Sequence, residues 1–149
     1  LSAFRQAIVL PAKTIPQGIT ALINFIPEHD TDENIKSMVS ALDTIRSGQV
    51  TFAVRDTTID GMKVSAGDYM GLGKHTLLSV GDDIATVTTE LVGALTDVDS
   101  ELVTLYYGKD ITEEDAKSCE EKIRERYPDM EVELQNGGQP VYYYIISVE

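Results

Sequence analysis

Apolar and polar residues change period along the chain. The first run, QAIVLPA over residues 6–12, is apolar and ends at a turn signal, the pattern of a buried strand. Thr14-Ile15-Pro16-Gln17 follows with the spacing of a capping box, in which Thr14 accepts from the Gln17 amide and the Gln17 side chain reaches back. Pro16 costs nothing there, because early helical amides have no intrahelical acceptor. This predicts a helix over about 15–25 that carries Ile19, Leu22, Ile23 and Ile26 inward and stops at Pro27. Asp30 or Thr31 caps a second helix, with Asp32 and Glu33 in its first turn. Ile35, Met38, Val39, Leu42 and Ile45 form one buried stripe, and Gly48 stands where a helix C-terminal glycine is expected.

The period then shortens. Residues 49–59 alternate, with Val50, Phe52 and Val54 on one side and Thr51, Ala53 and Arg55 on the other, a half-buried strand. Asp60-Gly61 signals a hairpin turn, Met62-Lys63-Val64 returns, and Gly67-Asp68 turns again. Strands over 69–72 and 75–80 follow, and such short connections make neighbours antiparallel. Gly71-Leu72-Gly73-Lys74 reads as a hairpin between them, since it does not join a strand to a helix. A helix over about 82–96 turns Ile84, Val87, Leu91, Ala94 and Leu95 inward. The end of the chain reads as a strand over 101–107, a helix capped at Thr112 with Ala116, Cys119, Ile123 and Tyr127 on one side, a strand over 130–134, a turn at Asn136-Gly137-Gly138, and a strand over 141–148. Strand, helix and strand of these lengths make a βαβ unit. The fold class is α/β (α+β): βαβ units in a mixed sheet plus an antiparallel hairpin region. Two lobes fit the pattern, an incomplete α/β unit over 1–48 and antiparallel strands plus βαβ over 49–149. The opening on a buried strand, with no unit before it, is expected of the C-terminal fragment of a larger chain.

Composition removes whole classes of function. With 149 residues the chain buries roughly 68–70% of its unfolded surface, enough for a core without staples. One cysteine excludes a disulfide framework and fits a reducing compartment. No apolar run reaches the roughly 18 residues of a membrane span, and residues 1–5 do not begin a signal peptide. The 25 acidic residues outnumber 12 scattered basic ones, a formal charge of −13. Nucleic acid and anionic membranes are poor partners for such a surface, whereas a basic protein partner is steered towards it. The plainer reading of the charge is solubility.

A zinc site needs three or four ligands at defined spacing, but His29, His75 and Cys119 stand apart. Cys119 lies on an apolar stripe beside Glu120 and Glu121, which raise a thiol pKa, so it reads as core rather than nucleophile. No phosphate-binding glycine loop and no catalytic set is present. The acids at 113–115, 120, 121 and 125 form a solvated helix face, at best a docking face. Polar residues gather in three clusters. Thr14, Gln17 and Gly18 lie just after the first strand, where α/β folds gather ligands, though on their own a capped helix start is the better explanation. Arg55, Asp56, Thr57 and Thr58 precede the Asp-Gly turn, where a strand end with a local ion pair would suffice. Gly138, Gln139, Pro140 and Tyr142 lead into the triplet Tyr142-Tyr143-Tyr144, which places Tyr142 and Tyr144 on one strand face, for core packing or for an interface.

The clusters belong to longer strings: Pro11-Ala12-Lys13-Thr14-Ile15-Pro16-Gln17-Gly18; Ser47-Gly48-Gln49-Val50-Thr51 running into Val54-Arg55-Asp56-Thr57-Thr58-Ile59-Asp60-Gly61; Gly67-Asp68-Tyr69-Met70-Gly71; and Gly137-Gly138-Gln139-Pro140-Val141-Tyr142 with Ile145-Ile146-Ser147-Val148-Glu149. In this order, over nearly the whole chain, they resemble the C-terminal domain of the bacterial dihydroxyacetone-kinase-like proteins of the YloV type, the ATP-binding component of fatty acid kinase. The resemblance implies a longer parent whose missing N-terminal domain binds ATP and magnesium, with no cofactor or metal in this fragment. It also implies a DegV-like fold, a bacterial cytoplasmic location, and two partners: the rest of its own kinase chain and a fatty-acid-binding DegV-type protein that presents a carboxylate for acyl-phosphate formation. DegV-type proteins hold that carboxylate with hydroxyl and His-containing loops near the chain end. The matching turn here, Asn136-Gly137-Gly138-Gln139-Pro140, has no His, which leaves a related scaffold used for contact. The expectation is a non-catalytic docking domain, with Thr14, Gln17, Gly18, Arg55, Asp56, Thr57, Thr58, Gly138, Gln139, Pro140 and Tyr142 as candidate contacts. The alternatives are a DegV-like module that binds fatty acid itself and an independent small enzyme.

Overall fold

In the computed structural model, which describes residues 7–149, the first helix, α1, spans Ile15–Ile23. Thr14 caps it, its hydroxyl accepting from Gln17 N at 3.3 Å. The side-chain carbonyl oxygen of Gln17 reaches back one residue further than expected and accepts from Lys13 N at 2.8 Å. The second helix, α2 (Thr31–Leu42), has a complete capping box, Asp30 accepting from Glu33 N and Glu33 from Asp30 N. The two helices pack together. From the first turn of α2, buried Asn34 accepts from Ile26 N and donates to the carbonyls of Ile26 and His29, which fixes the connecting loop. These residues belong to a unit that ends at Ile45; a second unit runs from Arg46 to Glu149.

Several local expectations fail in the first unit. Gln6 lies outside the described residues, and residues 7–12 form no strand: Val9 is 94% exposed and no strand of the sheet pairs with the segment. An apolar run becomes a strand only where a neighbour satisfies its backbone. In α1 the inward face is Pro16, Thr20 and Ala21, while Leu22, Ile23 and Ile26 are exposed, Leu22 at 71%. The small side chains let the helix approach its neighbour, and the larger ones turn away.

The second unit contains β1 (Arg46–Phe52), β2 (Thr57–Ile59), β3 (Met62–Val64), β4 (Tyr69–Leu72), β5 (Leu77–Gly81), α3 (Ile84–Leu95), β6 (Leu102–Tyr107), α4 (Glu113–Arg126), β7 (Glu131–Asn136) and β8 (Tyr144–Val148). The main sheet has the order β5-β4-β1-β8-β6-β7, and β2-β3 form a separate hairpin. β6 and β7 are parallel, as a βαβ unit requires, and the other pairs are antiparallel. Helices α3 and α4 pack on each other and on one face of the sheet. Val50, Leu105 and Ile146 meet Val87, Leu91 and Val92 of α3 and Ala116, Cys119 and Ile123 of α4 in one buried cluster. Ala94, expected inward, is exposed, and Thr88 and Val92 take the buried side.

Here too the boundaries move for physical reasons. Gly48 is no helix cap: α2 ends at Leu42, and Gly48 sits inside β1, where a Cβ would meet Leu95 Cδ1 at 2.9 Å and the Leu72 carbonyl oxygen at 3.1 Å. The strand expected over 49–59 breaks after Phe52, because Ala53 bonds to the 66–68 turn: its amide donates to Asp68 O and its carbonyl accepts from Gly67 N, both at 2.8 Å. The chain then starts the β2-β3 hairpin, whose turn carries Asp60 at φ 51° and Gly61 at φ 80°, the positive angles a tight hairpin needs. β5 begins at Leu77 rather than residue 75, since Gly73 N bonds to Thr76 O and closes the turn first. The last strand begins at Tyr144, and residues 137–143 form a loop. At the open edge, Glu131 N bonds to Glu101 O, so the Val132 carbonyl faces outward, where Arg124 donates to it at 2.7 Å. That guanidinium, held by Glu120, blunts the edge against further strand pairing.

Two glycines separate these local arguments. Gly48→Ala is expected to destabilise the second unit by about 1–3 kcal/mol through crowding against Leu91 and Leu95 in the core. Gly18→Ala, in α1 where a Cβ would meet nothing within 4 Å, is expected to stabilise by roughly 0.5–1 kcal/mol. Urea unfolding of both variants checks the pair of signs.

Candidate functional site

Parallel strands gather binding groups at their carboxyl ends. In the second unit this end of the sheet is formed by the ends of β1, β6 and β7 and the start of β8, since Val50 pairs with Tyr144 and Tyr107 pairs with both Tyr144 and Asn136. The 137–143 loop lies across it. Gly137 N and Gly138 N both donate to Tyr107 O, Gly108 N donates to Tyr143 O, and Lys109 N to Gln139 O. Gln139 fastens the loop from within: its carboxamide donates to Tyr106 O at 2.9 Å and to Tyr142 O at 3.4 Å. A Cβ on Gly108 would collide with the carbonyls of Tyr142 and Gln139, so the crevice is filled by backbone. The N-terminus of α4 opens nearby, but Thr112, Glu113, Glu114 and Asp115 already supply its first turn with oxygen and negative charge.

The candidate contacts therefore divide. Thr14 and Gln17 cap α1, and Gln17 also donates to Leu42 O at 3.3 Å. Gly18 is a helical residue of the same turn. The Asp56 carboxylate accepts from Ala66 N at 2.8 Å, so it shapes the 65–67 turn and forms no ion pair with Arg55. Thr57 and Thr58 lie exposed on β2. Gly138 takes φ 61° and Gln139 is the loop clamp. Pro140 is exposed, and Tyr142, half-buried in the loop, is off the strand, so it does not share a face with Tyr144 as the triplet implied. Arg55 is exposed and makes no hydrogen bond or ion pair among the described residues.

What the pattern did not single out is an aromatic group at the same end. Tyr143 packs against Phe52 with ring centroids 6.0 Å apart and edge-on against Tyr69 at 5.6 Å. Phe52 is 42% exposed. Val141, bonded through its carbonyl to the Thr51 hydroxyl at 3.4 Å, is 64% exposed and holds φ 72°, a conformation that costs a β-branched residue of order 1–3 kcal/mol. The alternation places Phe52 and Val54 on the same side as buried Val50, but both are exposed and Ala53 is buried, because the strand ends at Phe52 and Ala53 turns to the 66–68 turn.

Beneath this end lies a buried polar group. Tyr144, Cys119 and Thr88 lie together, with Thr88 donating to Ile84 O at 2.7 Å. Burial pushes the Cys119 thiol from 9.0 to about 11, and burial likewise raises Tyr144. Desolvation, not the adjacent glutamates, is the main cause for the thiol. A hollow of about 320 Å³ in the first unit is lined by Ile8, Leu10, Phe25, Ile35 and Met38 with His29, Thr31 and Asn34. Among the described residues no three His, Cys, Asp or Glu side chains come together as a metal site. No described helix is long and apolar enough to cross a membrane.

The model of the FakA-like C-terminal family, a component of fatty acid kinase, matches residues 1–149. The chain belongs to that family. Protein YloV of Bacillus subtilis is 42% identical over 144 residues, covering 97% of this chain and 26% of YloV. An uncharacterised Staphylococcus haemolyticus protein is 40% identical over the same length, with 97% and 26% covered. The chain thus spans about a quarter of the length of the curated relatives it matches. Among solved structures, the fatty acid kinase B3 protein of Streptococcus pneumoniae, loaded with linoleic acid, aligns with a TM-score of 0.51 at 12% identity, covering 81% of this chain and 50% of that one. That likeness shows the fold, the DegV-type mixed α/β lobe expected from the sequence. In this member of the family, the carboxyl end of the sheet is closed by backbone and faced with aromatic side chains.

Two outcomes test the site's construction. Gln139→Ala is expected to cost about 1–3 kcal/mol and to speed amide exchange at Lys109, read by hydrogen–deuterium exchange. Cys119, protonated below about pH 11 in the fold, should resist alkylation at pH 8 and react at once on unfolding. Because its pKa is raised on folding, the stability it contributes is full below pH 9.0 and is lost as pH rises through about 11.

Proposed function

We propose that this chain is the non-catalytic docking domain of a fatty acid kinase, binding the DegV-type protein that carries the fatty acid to be phosphorylated. Bond-making, with ATP and magnesium, is assigned to the N-terminal part of a longer parent in the bacterial cytoplasm. Family membership over residues 1–149 supports the kinase component. The likeness in fold to the B3 protein, loaded with linoleic acid, supports a place in the same fatty acid kinase system. The observation that carries the reading is the plugged crevice. Gln139, Gly108 and the 137–143 loop satisfy one another's backbone at the end of the sheet where α/β folds gather ligands, while aromatic surface stays open beside them. A fold with its ligand crevice filled and its rim exposed suits contact with a protein. The charge of −13 suits a partner of opposite field, which would steer encounter.

The hollow beside Phe25 and Met38 favours a second reading, a module that retains an acyl chain. Titration calorimetry of the 149-residue chain with linoleate-loaded B3 protein tests the first. Saturable binding that weakens as salt rises is expected; no binding at low salt would overturn it. Mass spectrometry of lipid extracted from the purified chain decides the second, for which stoichiometric fatty acid is required. ATP turnover by the chain alone is expected to be zero.

A further inference from the structure

We propose that the outward face of α1 is an internal seam of the longer parent, packed against an apolar element of that same polypeptide that lies outside residues 1–149. The inference rests on the reading of this chain as part of a longer kinase component, and not on docking to a fatty-acid carrier. Ile15, Ile19, Leu22 and Ile23 recur at i, i+4, i+7 and i+8, which places them on one face of the helix. Ile19 is half-buried and the other three are exposed, Ile23 at 75%. Among the described residues, seven of the eleven exposed large apolar side chains fall within residues 8–26. The buried apolar residues of the first unit are Ala21, Ala41, Leu42 and Ile45, two of them alanine. Large apolar side chains thus lie outside this unit and mostly small ones within, the pattern of one layer of a core whose facing layer is elsewhere.

Charge selects the facing layer. Residues 14–27 contain no charged side chain, in a chain of which 25% is charged. Lasting interfaces are depleted of charge at their centre, whereas a partner that comes and goes is steered by charge, which this helix does not supply. An apolar face left open until such a partner arrived would invite aggregation. A segment of the same polypeptide covers it from folding onwards, because the covalent link raises its effective concentration far above that of a free partner. The relatives have that polypeptide to give: this chain covers 26% of YloV, and half of the B3 chain, similar in fold, lies outside the match. A second copy would instead have to bring together two chains of charge −13.

Cysteine labelling tests the seam, since Cys119 is buried and leaves a quiet background. Leu22→Cys and Val98→Cys, both at exposed positions, are made in the 149-residue chain and in the full-length parent. Modification of each site by a maleimide is timed at neutral pH by mass spectrometry of its peptide, with no fatty-acid carrier present. Circular dichroism checks folding, and Ile23→Cys, on the same face, serves if Leu22→Cys disturbs it. In the isolated chain the α1 site is expected to react as fast as the Val98→Cys site. In the parent it is expected to react about tenfold more slowly or less, because labelling then waits for the seam to open. Equal rates at the α1 site in chain and parent would overturn the seam. Slow labelling in the isolated chain would overturn it too, assigning the face to a second copy if the slowing grows with concentration and to the chain itself if it does not. Slowing seen only after linoleate-loaded B3 protein is added would make α1 the docking surface instead. Failure of the calorimetric docking leaves the seam standing, because the carrier is absent from this assay.

Discussion

The sheet is held together by its last strand. β8 lies between β1 and β6, hydrogen-bonded to both, and every one of its residues is buried. Remove it, and the unit separates into an antiparallel ladder of β5, β4 and β1 and a parallel pair, β6 and β7. Neither piece would bury enough surface to persist alone. Tyr144, Ile146 and Val148 of β8 also supply the middle of the core on which α3 and α4 sit, so the strand joins the sheet along one direction and the helical layer along the other.

That placement determines the chemistry of the carboxyl end. To enter the sheet between β1 and β6, the chain leaving β7 must cross the end of β6, and it does so as the 137–143 loop. Peptide groups laid there need partners, because an unsatisfied buried amide or carbonyl costs about 1–3 kcal/mol. Gln139, Gly108, Lys109 and Tyr107 provide them. The same bonds remove the groups from use by a ligand. Polar residues that looked available as contacts, Gln17, Asp56 and Gln139, are all engaged with backbone. Phe52 and Val141 remain outward beside them.

The distribution of acids follows the same reliance on local partners. Asp30, Asp83 and Thr112 cap helices, and Glu113 and Glu120 pair with Lys117 and Arg124 one turn on. Thr86, through its side chain and its amide, holds the Asp83 carboxyl below the usual carboxylate range. Each exposed pair is worth little on its own. No charged side chain is among the buried residues described; the buried polar ones, Thr20, Asn34, Ser79, Thr88, Thr104 and Ser147, are all neutral.

The sequence by itself determined the helices, the hairpin turn and the βαβ unit, because capping residues, the Asp60-Gly61 pair and apolar periodicity act over a few residues. Its long motifs also determined the family. It could not determine which apolar runs find a neighbour: residues 7–12 resemble a buried strand as closely as β8 does, yet β8 alone has partners on both sides. Nor could it decide whether Gly48 ends a helix or makes room for Leu91 and Leu95, or whether Gln139 meets a ligand or the carbonyl of Tyr106. Those outcomes depend on residues more than thirty positions away, and only the closing of the sheet brings them within reach.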